Sequence, residues 1–320
     1  MLKPESQSCN RRRFLGAGAV SALGLLLADL VPAQQPAEKE KALPARRPAD
    51  AIDGVPVVTA RAWAIFDGRN GQRLFGNNDA AALPMASTTK IMTAWLVLRL
   101  AADNAKVLDE TVTVSEAAAR TAGSSARIRT GDRVVVRELL YGLLLPSGND
   151  AAVAIAQHFG PRFRDRNAKN PPTPLASFID EMNRQAGRLM LRETRFLDPN
   201  GLARNETSAR DLCTLAYNAM QNERFRNYVQ TRRHQGAITD AKGERRQVTW
   251  DNTNKLLDIE GYDGIKTGTT NAAGSCLVGS GRRGEDHLLV TVLGCTSNDS
   301  RYADTRNLFR WAWRERAARK

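Results

Sequence analysis

The sequence predicts an α+β fold in which strands from the two ends of the chain complete one antiparallel sheet, with helices between them. Two observations carry this. Strand-like segments cluster near residues 59–76 and again near 262–295, each with turn chemistry at its centre. Between the clusters, apolar residues recur at helical spacing over runs too long for strands. The chain shows no internal repeat.

Taken in order, residues 59–66 are apolar-rich, Asp67-Gly68-Arg69-Asn70-Gly71 supplies a turn and 72–76 returns, which predicts a β-hairpin. Residues 91–98 have the length and composition of a buried helix, and Pro84 just upstream suits its first turn. A short strand is expected over 111–114. Thr130-Gly131-Asp132 marks a turn ahead of a helix over 137–145, and 146–150 turns again before an apolar helix over 151–159. Residues 160–174 are polar, basic and proline-rich, as in a solvated loop. A helix follows over 175–191, then a loop over 196–202, then a helix to Met220 capped by Ser208. Residues 255–269 turn through Gly261 and Gly264 into a strand. Residues 276–280 and 288–295 form a hairpin about Gly281–Gly284, and 304–319 close the chain as an amphipathic helix.

The 320 residues carry a net charge of +13 and 42% hydrophobic side chains, enough for one large domain or two small ones. The basic excess is arginine scattered singly or in pairs, as at Arg232-Arg233 and Arg245-Arg246. Neither an arginine-rich helix nor an aromatic-interleaved basic sheet is present, so nucleic acid is not an expected partner. The pattern fits a general attraction to an anionic matrix. Cys276 and Cys295 could pair across neighbouring strands; buried free thiols are the alternative. Cys9 and Cys213 complete the set, and no cysteine has metal-ligand spacing.

Residues 1–33 read as an export signal. Arg11-Arg12-Arg13-Phe14-Leu15 precedes a weakly hydrophobic run, and Val31-Pro32-Ala33 gives a small-residue cleavage pattern. The paired arginines resemble the twin-arginine motif, whose cargo crosses the membrane folded. Residues 34–54, rich in Gln, Pro, Lys and Ala, read as a disordered tether, and residues 55–320 as the catalytic domain. An exported, periplasmic or extracytoplasmic location follows, with tethering where the signal is retained.

The chemistry starts from Ala86-Ser87-Thr88-Thr89-Lys90 at the start of the buried helix. Residues three apart share a helix face, so the Lys90 amine can reach the Ser87 hydroxyl and, if neutral, take its proton. Taken alone, the pattern better describes a helix cap and a solvated lysine. Downstream stand Ser147-Gly148-Asn149 and Lys266-Thr267-Gly268. The order S-x-x-K, S-x-N, K-T-G is the motif set of active-site-serine β-lactamases and penicillin-binding proteins.

The flanks resemble one branch of that group. Pro84–Thr93, Ser147–Ala152 and Asp263–Thr270 are similar to the D-alanyl-D-alanine carboxypeptidases, the low-molecular-mass penicillin-binding proteins of the serine DD-peptidase (S11) family. So are Asp198-Pro199-Asn200-Gly201-Leu202, residues 208–212, Asn252–Leu257 and the closing helix from Arg301. The resemblance implies a five-stranded antiparallel sheet flanked by helices, with an all-helical subdomain between the terminal strands. It implies hydrolysis of the terminal D-Ala–D-Ala bond of peptidoglycan stem peptides through an acyl-enzyme on Ser87. It further implies covalent inhibition by β-lactams and no cofactor or metal. Many relatives carry a further β-rich domain and an amphipathic anchor, which would begin beyond Lys320, so no stable membrane anchor is expected after signal removal.

The implied roles have physical reasons. Lys90 must be neutral, and desolvation together with the Lys266 charge would lower its pKa. Ser147 can relay a proton to the leaving amine, and Asn149 can hold Lys90 and the substrate backbone. The resemblance places the oxyanion donors at the N–H groups of Ser87 and Thr269. Lys266, kept protonated, with Thr267 and Arg301, which is placed ahead of the last helix, would bind the substrate carboxylate, alongside Gly268 and Thr269. His158, His234 and His287 stand outside every motif, which argues against a Ser-His-Asp triad or a zinc peptidase. Three rivals share these motifs. One is a DD-endopeptidase on cross-links. Another is a β-lactamase using Glu223, just past a helix end. The third is a non-catalytic muropeptide or β-lactam sensor.

Overall fold

The chain begins, in a computed structural model that describes residues 54–164 and 169–319, with a hairpin of β1 (Ala62–Asp67) and β2 (Arg73–Asn77). The expected export signal and the tether up to residue 53 lie outside the described residues, as do residues 165–168 of the expected loop. Pro84, expected in a helical first turn, instead closes the short strand β3 (Leu83–Pro84). A 3-10 turn, Ala86–Thr89, then leads into α1 (Lys90–Asp103). Ile91 to Leu98 are all buried. A helix apolar on every side is an interior helix, and α1 is the axis of the main core.

Around α1 come β4 (Thr111–Thr113), α2 (Glu116–Ala119), β5 (Arg133–Val135), α3 (Val136–Leu144) and α4 (Asn149–Phe159). In α3 the buried residues Val136, Leu139, Leu140, Leu143 and Leu144 form one stripe, the i, i+3, i+4, i+7 pattern of a core-facing surface. A 3-10 turn (Gly160–Phe163) and an exposed stretch, 169–173, precede α5 (Pro174–Arg188). Next is β6 (Glu206–Thr207), paired with β3. Helix α6 (Ala209–Met220) begins where its cap predicts, the Ser208 hydroxyl accepting from the Asp211 N–H.

Further elements depart from the sequence reading. Glu223, expected past a helix end, opens α7 (Glu223–Gln230). Strands β7 (Arg233–Thr239) and β8 (Arg245–Asp251) form a hairpin that joins a four-stranded sheet of order β4-β5-β7-β8. The subdomain expected to be all-helical is therefore mixed. Its hairpin is half exposed and arginine-rich, held to the core by the buried Trp250, whose Nε1 donates to the Ala126 carbonyl at 2.8 Å.

The chain ends with β9 (Tyr262–Thr270), β10 (Gly274–Arg283), β11 (Asp286–Cys295) and α8 (Asn298–Ala317). β11 pairs with both β10 and β1, so the two ends of the chain share one five-stranded antiparallel sheet, β2-β1-β11-β10-β9. Strand β9 is its edge, and that edge faces the Ser87 turn. α8 starts six residues earlier than expected, at a capping box between Ser297 and Ser300, which puts Arg301 inside the helix rather than ahead of it. Cys213, Cys276 and Cys295 are buried free thiols, so the conceivable Cys276–Cys295 pair is not formed. Register sets Cys295 opposite Ser275, and burial pushes the Cys276 thiol up to about 11.

Candidate active site

The site lies where the start of α1, the start of α4 and the edge strand β9 meet. Ser87 sits in the 3-10 turn, half-buried, one turn from Lys90. The Lys90 side chain is wholly buried and its Nζ has three neighbours: Ser87 Oγ at 3.0 Å, Asn149 Oδ1 at 2.7 Å and the Asn200 carbonyl at 2.6 Å. The orientation of the Asn149 amide follows from its other end, because Nδ2 donates to the Ala122 carbonyl at 2.7 Å. Two of the three neighbours of Lys90 are therefore oxygens that can only accept. A neutral amine has two N–H donors and one lone pair. It satisfies both acceptors and presents the lone pair to the Ser87 hydroxyl.

Electrostatics favour that form. Burial first, and the Lys266 charge second, hold Lys90 well below the usual lysine range, against the pull of Asp198 and Asp150. Lys266, 1% exposed, is itself drawn down to about 7 by burial and then by Arg301. The sequence reading has Lys266 staying protonated. At that value it stands near its titration point at neutral pH, and an anionic ligand beside it would favour the ammonium.

Strand β9 supplies two faces, as alternation along a strand requires. Gly268 turns toward the nucleophile turn: a Cβ there would stand 2.9 Å from the Ser87 nitrogen and 3.0 Å from that of Thr88, so only glycine permits this approach. Thr267 and Thr269 turn the other way. Thr267 Oγ1 bonds Thr253 Oγ1 at 2.8 Å, and Thr269 Oγ1 accepts from Arg301 Nη1 at 2.9 Å and donates to Asn298 Oδ1 at 3.0 Å. Arg301 Nε is buried without a partner, a donor held in reserve.

Ser147 is 5% exposed, its hydroxyl has no partner, and its backbone holds φ +67°. Ala86, immediately before Ser87, holds φ +49°. Left-handed backbone at non-glycine residues costs about 1–3 kcal/mol and gathers at functional sites.

The motif residues thus meet in one place. Sequence reasoning missed the Asn200 carbonyl, which has no side-chain signature. Its loop is built by Asp198, whose Oδ1 accepts from the N–H groups of Asn200 at 3.1 Å and Gly201 at 2.6 Å, and by Thr93 Oγ1, which donates to the Pro199 carbonyl at 2.6 Å. At Gly201, φ is +90° and a Cβ would meet the Ala86 carbonyl at 2.0 Å. The only hint was the quoted Asp198–Leu202 resemblance. The histidines all have structural partners: His158 with Glu110 and His234 with Glu138 at 2.8 Å each, and His287 with Ser280 at 2.9 Å. Glu223 is exposed at the first position of α7.

Asn149→Asp tests this electrostatic account. A carboxylate about 2.7 Å from Nζ favours the ammonium, so acylation should fall at neutral pH and recover on the alkaline side, the profile moving up by about 1–2 pH units. A stopped-flow profile of penicillin acylation between pH 6 and 10 reads this directly. An unmoved profile would show that Lys90 does not set it.

A serine one turn from a buried lysine, facing a K-T-G edge strand in an α+β body, is the arrangement shared by the active-site-serine β-lactamases and penicillin-binding proteins. Residues 50–297 match the Peptidase_S11 profile, described as D-alanyl-D-alanine carboxypeptidase, and the chain belongs to that family. It is 35% identical to a D-alanyl-D-alanine carboxypeptidase of Streptomyces sp. strain K15, over 83% of this chain and 91% of that one. With D-alanyl-D-alanine carboxypeptidase DacD of Escherichia coli K12 it shares 32% identity, over 80% of this chain and 63% of the relative. The crystal structure of the Streptomyces K15 DD-transpeptidase superposes with a TM-score of 0.75 at 34% identity, covering 82% of this chain and 99% of that one. A D-alanyl-D-alanine endopeptidase of Pseudomonas aeruginosa is 29% identical over 77% of this chain.

Proposed function

We propose that this chain is a serine-type D-Ala-D-Ala carboxypeptidase that removes the terminal D-alanine of peptidoglycan stem peptides through an acyl-enzyme on Ser87, and that β-lactams acylate the same atom. The observation that carries the reading is the setting of Lys90, whose wholly buried Nζ lies 3.0 Å from Ser87 Oγ and beside two further acceptors, where burial favours the neutral amine. A solvated lysine beside a helix cap would show none of this burial.

The steps follow from the groups present. The extended substrate lies along the edge of β9, whose open backbone groups suit strand addition. Its terminal carboxylate meets Lys266, Thr267, Thr269 and Arg301, the guanidinium offering its spare Nε–H. Ser87 Oγ attacks the penultimate D-alanine carbonyl as its proton passes to Lys90. The oxyanion is held by the N–H groups of Ser87 and Thr269, each such donor being worth about 3–4 kcal/mol of barrier. Ser147, whose hydroxyl is otherwise unengaged, passes the proton to the departing amine. Water then cleaves the ester by the reverse sequence. The paired arginines at Arg11-Arg12 support export in the folded state, which would put the enzyme on the wall side of the membrane.

Transfer of the same acyl group to an amine is a second reading, favoured by the likeness to a structure titled DD-transpeptidase. Cross-link cleavage is a third, favoured by the endopeptidase relative. Incubation with a pentapeptide ending in D-Ala-D-Ala should release free D-alanine, followed by chromatography. Release only from cross-linked dimers would overturn the carboxypeptidase reading in favour of the endopeptidase.

A further inference from the structure

Beside the groove, between the end of β8 and the turn Lys255–Asp258, lies a polar cleft of about 480 Å³. Arg232, Arg233, Asp251, Asn254, Leu257 and Asp258 line it. Asn254 is 2% exposed, and its Oδ1 accepts from the Leu256 N–H at 3.1 Å. That bond fixes the amide, since the flipped form would set two donors against each other. The remaining Nδ2 is buried without a partner. A buried amide donor with nothing to donate to is uncommon in a folded protein and asks for an explanation, and Asn254 belongs to the wall of this cleft. Arg232 pairs with Asp258, and Arg233 with Asp251 at 2.5 Å, at the exposed rim. Each guanidinium has five N–H donors, so these pairs leave donors for a further oxygen.

Hydrogen bonds tie the wall of the cleft to one particular end of the groove. Thr253, the neighbour of Asn254, bonds Thr267 side chain to side chain. Tyr302 OH donates to the Thr253 carbonyl at 2.8 Å and accepts from Arg301 Nη2 at 3.3 Å. Thr267 and Arg301 are where the departing D-alanine's carboxylate is placed above. These bonds put the cleft on the side of the groove where the amine component of the scissile bond would lie.

We propose that this cleft is a subsite for the amine component, binding a second carboxylate carried on it. That component is the leaving group when a cross-link is cut and the attacking amine when the acyl-enzyme is aminolysed. The proposal rests on the acyl-enzyme reading. In aminolysis the neutral amine nitrogen bonds to the ester carbonyl carbon, the carbon–Oγ bond of Ser87 breaks, and the amine's proton ends on Ser87 Oγ. Nothing else is consumed.

The test uses the full chain and a pentapeptide donor with two acceptors, D-2-aminoadipate and its neutral ω-amide, the products being partitioned by mass spectrometry. Wild type should favour the diacid about tenfold, the scale of one hydrogen bond to a charged group. Asn254→Asp keeps the oxygen that caps Leu256 but replaces the spare donor with negative charge, so it should lose that preference. Arg232→Gln should weaken it. Neither change should alter the penicillin acylation rate or D-alanine release without acceptor, which also verifies folding. Equal use of both acceptors by wild type, or an unchanged preference in both variants, would overturn the subsite. Absence of any acyl-enzyme in wild type would instead overturn the functional reading beneath it.

Discussion

Ser87→Ala is expected to abolish covalent labelling by a fluorescent penicillin and to reduce peptide turnover by a factor on the order of 10⁴–10⁶, the scale seen when a nucleophile acting as part of a unit is removed. The reason is positional. Ser87 is half-buried in a turn whose preceding residue holds a left-handed backbone, with its hydroxyl 3.0 Å from the Lys90 amine. Losing one hydrogen bond to a hydroxyl at the rim of the groove costs the fold little, about 1 kcal/mol. The variant should therefore melt close to wild type. Labelling equal to wild type would assign the nucleophile elsewhere.

Lys90→Ala should lose acylation by about 10²–10⁴-fold, the usual contribution of a positioned general base. Lys90→Met is the paired variant, because it keeps most of the buried volume and so separates chemistry from packing. Folding should survive in both, since removing an amine that sits wholly buried also removes its desolvation. The pH dependence has a definite sign. The base is the neutral amine, so wild-type acylation rises as pH climbs through the depressed pKa of Lys90. In Lys90→Met that limb should vanish. A circular-dichroism melt beside stopped-flow acylation reads both effects, and retained turnover in either variant would show that the base lies elsewhere.

The elements read most easily from the sequence are those whose packing is written in side-chain pattern. Helix α1 shows as eight consecutive buried residues, α6 announces its start through Ser208, and the β10–β11 hairpin brackets its glycines. The β7–β8 hairpin was hidden because it buries only alternate residues on one face and fills the other with arginine, glutamine and threonine. Such strands are held by the sheet they join, and nothing in their own periodicity is strong. The early start of α8 was masked by Asn298-Asp299-Ser300, which look like a turn but act as a cap and an acidic first turn. That error displaced Arg301 in the secondary structure while leaving it beside Thr269.

In the site, the three motifs were legible because each chemical role demands a side chain. The Asn200 carbonyl was not, because any residue has one. Its importance comes from a loop held by Asp198 and by Asn205, whose Nδ2 donates to Thr89 Oγ1 at 2.9 Å. Asn254 was equally unreadable, since an asparagine at a turn ordinarily satisfies both ends of its amide. Only the folded chain shows that one end is left over.

The most direct test of the account is where an acyl group lands. Wild-type protein incubated briefly with benzylpenicillin at pH 8, digested and mapped by tandem mass spectrometry, should carry one adduct, on the peptide containing Ser87. An adduct on any other residue, Ser147 included, or no adduct at all, would contradict it.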